Sequence, residues 1–182
     1  MKILFVCTGN ICRSPMAAQM FQQMLERNGI ANLVEIDSAG TGSLDGSPLE
    51  PQAKAAIERM GFEGRAHSAQ PLTRELVESA NLVLTATQAQ CTEVVELLVR
   101  ANRYTFTLKE FAHLAEYELG HREVAKSQSP ADLLAETLGL RGYATLDPDQ
   151  DIADPYRKSD TAFDRAAWET KESLEQLVAW LG

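Results

Sequence analysis

The sequence predicts an α/β doubly wound domain, and three observations carry that expectation. Short apolar runs suited to strands alternate with segments whose apolar residues recur at helical spacing, the pattern of parallel strands joined by right-handed crossovers. The chain has 182 residues, within the roughly 100–200 expected of one domain. Its composition, 45% hydrophobic and 24% charged, suits a globule that buries a core without disulfide or metal staples.

Lys2 to Val6 is an apolar run and the first strand. Cys7-Thr8-Gly9-Asn10 follows as a tight loop, and Pro15 suits the first turn of a helix, where its missing donor costs nothing. Ala17, Met20, Phe21, Met24 and Leu25 keep helical spacing up to a stop at Asn28-Gly29. Leu33 to Asp37 alternates like a strand and runs into Ser38-Ala39-Gly40-Thr41-Gly42, then a Gly-, Ser- and Pro-rich loop through Pro48. Pro51 to Met60 is helical and stops at Gly61; Thr73 caps a short helix ending near Ser79. Leu82-Val83-Leu84 is a buried strand, Cys91 to Val99 a helix, Tyr104 to Leu108 a strand and Lys109 to about Glu118 a helix. The stretch from about 119 to 149 breaks the alternation and reads as an insertion, with a short helix at Ala131 to Leu138. From Thr161, Phe163, Ala167, Leu174, Leu177, Val178 and Leu181 form the stripe of a closing amphipathic helix. No internal repeat or long polar linker divides the chain. The expectation is one three-layer domain over 1–182, a central parallel four-stranded sheet with helices on both faces.

Charge excludes several functions. Seventeen Lys and Arg against 26 Asp and Glu give a net charge of −9, which repels phosphate backbones and leaves nucleic-acid binding without a footprint. An anionic ligand therefore needs a local trap. Three cysteines, an odd number, argue for free thiols in a reducing compartment. No CxxC or HExxH offers a metal site, and no cofactor is expected. The apolar start stops at Thr8, short of the roughly 7–15 residues of a signal peptide, and no run reaches the roughly 20 that span a bilayer. The expected location is the cytoplasm, with no membrane insertion.

The chemistry concentrates in Cys7-Thr8-Gly9-Asn10-Ile11-Cys12-Arg13-Ser14-Pro15. A cysteine ends a strand, five residues intervene, and an arginine opens a helix at the carboxyl edge of the sheet, where such folds bind ligands. Backbone amides of such a loop converge on an anion, and the helix N-terminus adds positive potential. Arg13 supplies a bidentate fork for phosphate oxygens, and Gly9-Asn10 suits left-handed backbone. Helix N-termini and cations favour a thiolate, so Cys7 is expected to attack phosphorus beneath the bound oxyanion and form a cysteinyl-phosphate. Ser14 would hydrogen-bond the sulfur. A nucleotide cradle is the other reading of such a loop, but GxxxxGK[ST] and GxGxxG are absent.

The string closely resembles the signature of the low-molecular-weight protein tyrosine phosphatases, a family that also holds thioredoxin-coupled arsenate reductases. The likeness spans the chain outside 119–149, and the family's Asp-Pro-Tyr loop matches Asp154-Pro155-Tyr156. The resemblance implies Cys7 as nucleophile, Arg13 as phosphate clamp and Asp154 as general acid. Thr8, Gly9, Asn10, Ile11, Cys12, Ser14 and Tyr156 would bind substrate, with Ser38 and His67 bracing the cradle. A competing Asp147-Pro148 lacks the following aromatic.

Expelling a phenolate needs a proton, which a shielded carboxyl supplies before serving as base toward water. The expected activity is hydrolysis of phosphotyrosine in proteins, a tyrosine kinase among them, releasing inorganic phosphate. Three departures bear on preference: Ser43 and Leu44 stand where relatives place an aromatic wall, Arg157 replaces a second aromatic, and Thr87 an Asp. Arsenate reduction would need two more relay cysteines, whereas only Cys91 lies downstream of the loop; resolution by a small-molecule thiol stays open. Phosphoarginine phosphatases carry Thr where this chain has Ile11, and a bulky apolar residue favours an aromatic ester. Cys12 lies close enough to Cys7 in the loop to capture a sulfenic acid as a protective disulfide, or stands as a buried structural thiol; the sequence leaves both open.

Overall fold

The computed structural model describes residues 1–121, 129–142 and 149–182. Within them, β1 (Lys2–Cys7), β2 (Glu35–Gly40), β3 (Leu82–Thr85) and β4 (Thr105–Thr107) form a parallel sheet in the order β2-β1-β3-β4. The helices are α1 (Arg13–Arg27), α2 (Pro51–Arg59), α3 (Arg74–Ser79), α4 (Gln88–Leu97), α5 (Leu108–His121), α6 (Pro130–Gly139) and α7 (Asp160–Leu181). Chain order reverses at β1, which has β2 on one side and β3 on the other. In parallel sheets a ligand crevice opens at such a switch point, beyond the carboxyl ends of the strands. Cys7 is the last residue of β1, in register with Gly40, the last of β2.

Alternation along β1 sorts the core into two layers. Ile3, Phe5 and Cys7 face a cluster built from α1, α2, α5 and α7, including Met16, Met20, Phe21, Ile57, Phe111 and Trp180. Leu4 and Val6 face a smaller cluster with Val77 of α3 and Val94 of α4. Burial on both faces is why β1 reads as a continuous apolar run.

The elements follow the expected order, with shifted ends. β2 starts at Glu35 because Ala31–Leu33 closes a 3₁₀ turn. α4 starts at Gln88, three residues early, because Thr87 and Gln90 form a reciprocal capping box. β4 stops at Thr107, whose hydroxyl accepts from Glu110 N at 3.1 Å and opens α5 at Leu108. Within the expected insertion, α6 has its own Ser129–Asp132 capping box and joins the body through Trp180 Nε1, which donates to Thr137 Oγ1 at 3.0 Å. The rest of that stretch, Asp147-Pro148 included, falls largely outside the described residues.

Candidate active site

β1 delivers Cys7 to the bottom of a loop whose carbonyls are tied outward. Thr41 N donates to Cys7 O, Gly42 N to Thr8 O, Leu44 N to Gly9 O and Glu50 N to Ile11 O, all at 2.9–3.1 Å. Anchoring the carbonyls on one side lets the amides of such a loop converge on the other. The approach to β2 is close enough to demand glycine: a Cβ on Gly40 would lie 2.5 Å from Thr8 O.

Asn10 organises this loop. It is fully buried and has φ of 55°, left-handed backbone that Asn tolerates better than most residues. Gln70 N donates to Asn10 Oδ1 at 2.9 Å, which orients the amide so that Nδ2 donates to Ser14 Oγ (2.9 Å) and Ser38 Oγ (3.0 Å). His67 Nε2 lies 2.6 Å from Asn10 O. With Asn10 donating to it, Ser14 Oγ keeps its own proton for Cys7 Sγ at 3.0 Å or, less closely, Ala39 O at 3.4 Å.

Arg13 meets the C-terminal part of the chain. Its Nη1 donates to Ile152 O at 3.0 Å, and its Nη2 pairs with Asp154 Oδ2 at 2.9 Å. Its Nε is buried and finds no partner among the described residues. Such a donor normally has one, and an oxyanion over the loop would supply it. Asp154 Oδ1 accepts from Tyr156 N at 3.1 Å, turning the chain so that Tyr156 and Asp154 share a wall. Arg157 follows with φ of 59°, its guanidinium 5.2 Å from the Tyr156 ring centre.

These residues enclose a cleft of about 210 Å³ lined by Cys7, Thr8, Gly9, Ile11, Cys12, Arg13, Gly42, Leu44, Asp154 and Tyr156. A larger groove of about 540 Å³ between α5 and α7 holds none of them; the chemistry, not the volume, locates the site. Asn10, Ser14, Ser38 and His67 stand behind the cleft in the bracing network. Burial, followed by the nearby charges of Cys7, Glu50 and Asp154, pushes the Cys12 thiol up to about 12 despite Arg13. Among the described residues no His, Cys, Asp or Glu cluster could hold a metal, and no helix is long and apolar enough to cross a membrane.

Sequence reasoning missed Gln70, Gln90 and Ile152. Gln90 had a readable signal, the Thr-x-x-Gln of a capping box. Gln70 and Ile152 act from distant segments and carry no local signature.

The family model for low molecular weight phosphotyrosine protein phosphatase matches residues 2–126. The chain belongs to that family. It is 33% identical over 164 residues to a probable low molecular weight protein-tyrosine-phosphatase, EpsP, of Ralstonia nicotianae, covering 90% of this chain and 84% of that one. It is 41% identical over 110 residues to a protein-arginine-phosphatase of Geobacillus stearothermophilus, covering 60% and 70%. A solved structure of the YwlE arginine phosphatase, a cysteine-to-serine mutant with a phosphorylated active-site serine, superposes with TM-score 0.72 at 29% identity, covering 98% of this chain and 93% of that one.

Within the family frame the departures acquire positions. Leu44 lines the same cleft as Tyr156 and is half exposed. Thr87 caps α4, a duty that Asp also performs well.

Proposed function

We propose that this member of the phosphotyrosine phosphatase family hydrolyses aryl phosphate monoesters, phosphotyrosine in proteins above all, through a cysteinyl-phosphate. The buried Arg13, paired with Asp154 and holding an unpartnered Nε beside the Cys7 cleft, carries this reading.

Bound phosphate oxygens take the Arg13 fork and the loop amides, which places phosphorus above Cys7 Sγ. The sulfur attacks in line, forming S–P as P–O to the leaving group breaks; Asp154 gives that oxygen its proton. The Asp154 carboxylate then takes a proton from water, whose oxygen attacks phosphorus and breaks S–P, releasing inorganic phosphate. Ser14 steadies the departing thiolate through its hydroxyl proton. Leu44, Ile11 and Tyr156 form apolar walls for a phenyl ring. In this reading residues 1–182 form one phosphatase domain working in the cytoplasm, and a tyrosine kinase is a fitting substrate.

Phosphoarginine is the second reading, favoured by the arginine phosphatases among the relatives. Ile11 on the cleft wall speaks for the aromatic ester instead. A cysteine relay for arsenate reduction is disfavoured because Cys91 hydrogen-bonds Thr85 Oγ1 at 3.0 Å and does not line the cleft; resolution by a small-molecule thiol needs no Cys91 and is decided by the arsenate assay.

Parallel assays on a phosphotyrosine peptide, a phosphoarginine peptide and arsenate with thiol, each with the Cys7→Ser variant, decide among the three. The expected result is turnover on phosphotyrosine that Cys7→Ser abolishes. Turnover confined to either other substrate overturns the assignment.

A further inference from the structure

The side-chain amide of Gln90, in the first turn of α4, is buried. Its Oε1 accepts from the backbone N–H of Ala86 at 3.1 Å and of Thr87 at 3.0 Å. Two main-chain donors on one oxygen settle which end of the amide is which. Nε2 is therefore the donor to Thr8 Oγ1, 3.1 Å away across the cleft edge. Capping α4 does not need that second contact. A capping box accepts Glu as readily as Gln; Glu would accept from the Thr8 hydroxyl where Gln donates to it, so only loss of the whole amide breaks the contact.

The bonds continue past Gln90. Ala86 O accepts from Ile152 N at 2.8 Å, and Ile152 O accepts from Arg13 Nη1 at 3.0 Å. Thr8 and Arg13 are the two shoulders of the loop that follows Cys7. The path Thr8–Gln90–Ala86–Ile152–Arg13 thus closes on itself. Gln88 N, donating to Asp151 Oδ1 at 2.8 Å, ties the same β3–α4 turn to the same acid loop a second time.

We propose that Gln90 is a positioning residue for the reaction. Its amide ties the cysteine loop to the β3–α4 turn, and that turn holds Ile152 and with it the segment carrying Asp154, keeping nucleophile and acid at one spacing; this rests on the roles assigned above to Cys7 and Asp154. Gln90 touches neither substrate nor reacting atoms. Its effect is felt where the proton must arrive as P–O breaks, so it matters most for leaving groups that need that proton.

The test uses Gln90→Leu, which removes both ends of the amide, and Thr8→Val, which removes the acceptor and leaves the α4 cap in place. kcat/KM is measured for each on p-nitrophenyl phosphate, a good leaving group, and phenyl phosphate, a poor one. Since protonation by a general acid is worth about 10²–10⁴, a displaced acid should cost phenyl phosphate about tenfold more than p-nitrophenyl phosphate. A merely structural role lowers both equally, and equal losses, or none, overturn the proposal. Amide hydrogen exchange over 150–154 provides a readout independent of activity. Both variants should exchange faster there, and unchanged exchange overturns the ring. If the wild-type chain hydrolyses neither ester, the functional reading fails while the exchange data still decide the bridge. If Gln90→Leu does not fold, Thr8→Val alone decides it.

Discussion

Arg13 and Asp154 lie 2.9 Å apart, nitrogen to oxygen, joining two segments that are far apart in the chain. The guanidinium is buried, whereas the carboxylate is half exposed. A phosphate oxygen entering the cleft competes with that carboxylate for Arg13. In the proposed reaction, the Asp154 carboxylate freed from Arg13 by the oxyanion takes up a proton from solvent and can then serve the leaving group, which would couple substrate capture to delivery of the acid.

Replacing Asp154 with Ala should separate the two effects. kcat/KM on phenyl phosphate should fall by about 10²–10⁴, the usual contribution of a general acid. Inorganic phosphate should inhibit about 1.4- to fivefold more tightly, because a half-exposed ion pair is worth only about 0.2–1 kcal/mol. Steady-state kinetics with phosphate as inhibitor check both; weaker inhibition would refute the competition.

Asn10 should tolerate neither loss of its side chain nor an ordinary backbone. Asn10→Ala strands the Gln70 amide, at about 1–3 kcal/mol for a buried unsatisfied group, and adds about 1–2 kcal/mol of left-handed strain. Asn10→Gly avoids the second cost and should be the more stable of the two. Denaturant unfolding measures the difference, and equal stability would show that backbone strain is absent.

Two glycines should respond oppositely to a methyl group. Gly40→Ala drives a Cβ to 2.5 Å from the Thr8 carbonyl, so the loop must move and activity should fall at least about tenfold, as for a misplaced reacting group. Gly120, in α5, has open space around it. Gly120→Ala should gain about 0.5–1 kcal/mol from helix propensity with unchanged kinetics. Melting curves and kcat/KM on both variants test the contrast.

Stability should decline in alkali. Burial raises the Cys12 thiol from an ordinary 9.0 to about 12, and Cys91 to about 11. Above pH 9 the unfolded chain loses these protons while the folded chain keeps them, so the folded state binds more protons and ΔG of unfolding falls as pH rises. The thiols cost nothing below pH 9, and the loss accumulates up to about pH 11–12. Unfolding at pH 8 and pH 10.5, repeated with Cys12→Ser and Cys91→Ala combined, should show a shallower slope in the double variant. An identical slope refutes the attribution.

Ile11→Thr should open the cleft wall and shift preference toward phosphoarginine. The ratio of kcat/KM on phosphoarginine to phosphotyrosine peptides should rise about tenfold, the lower end of what one methylene is worth in an apolar pocket. An unchanged ratio removes Ile11 from the determinants of specificity.

Much of this was written locally in the chain. The alternation of apolar runs and helical stripes fixes the class of fold, because a strand buried on both faces and a helix buried on one leave different periods. Cys7, Arg13 and Ser14 were legible because one strand–loop–helix unit carries all three, and the Asp154-Pro155-Tyr156 turn because its residues are contiguous. Helix starts at Gln88 and Leu108 were harder, since capping hydroxyls outweigh the apolar pattern at element ends.

What remained for the tertiary structure was everything that depends on distance between remote segments. The sequence alone offers Cys7, Arg13 and Asp154 as candidate nucleophile, clamp and acid; it does not place Asp154 on Arg13, Gln70 on Asn10 or Gln90 on Thr8. Hydrogen bonds reach only about 3 Å, and two side chains separated by scores of residues come that close only when packed layers have set the strands and helices in register. The parallel sheet brings the ends of β1, β2 and β3 to one edge, and there the loops that follow them become a single site.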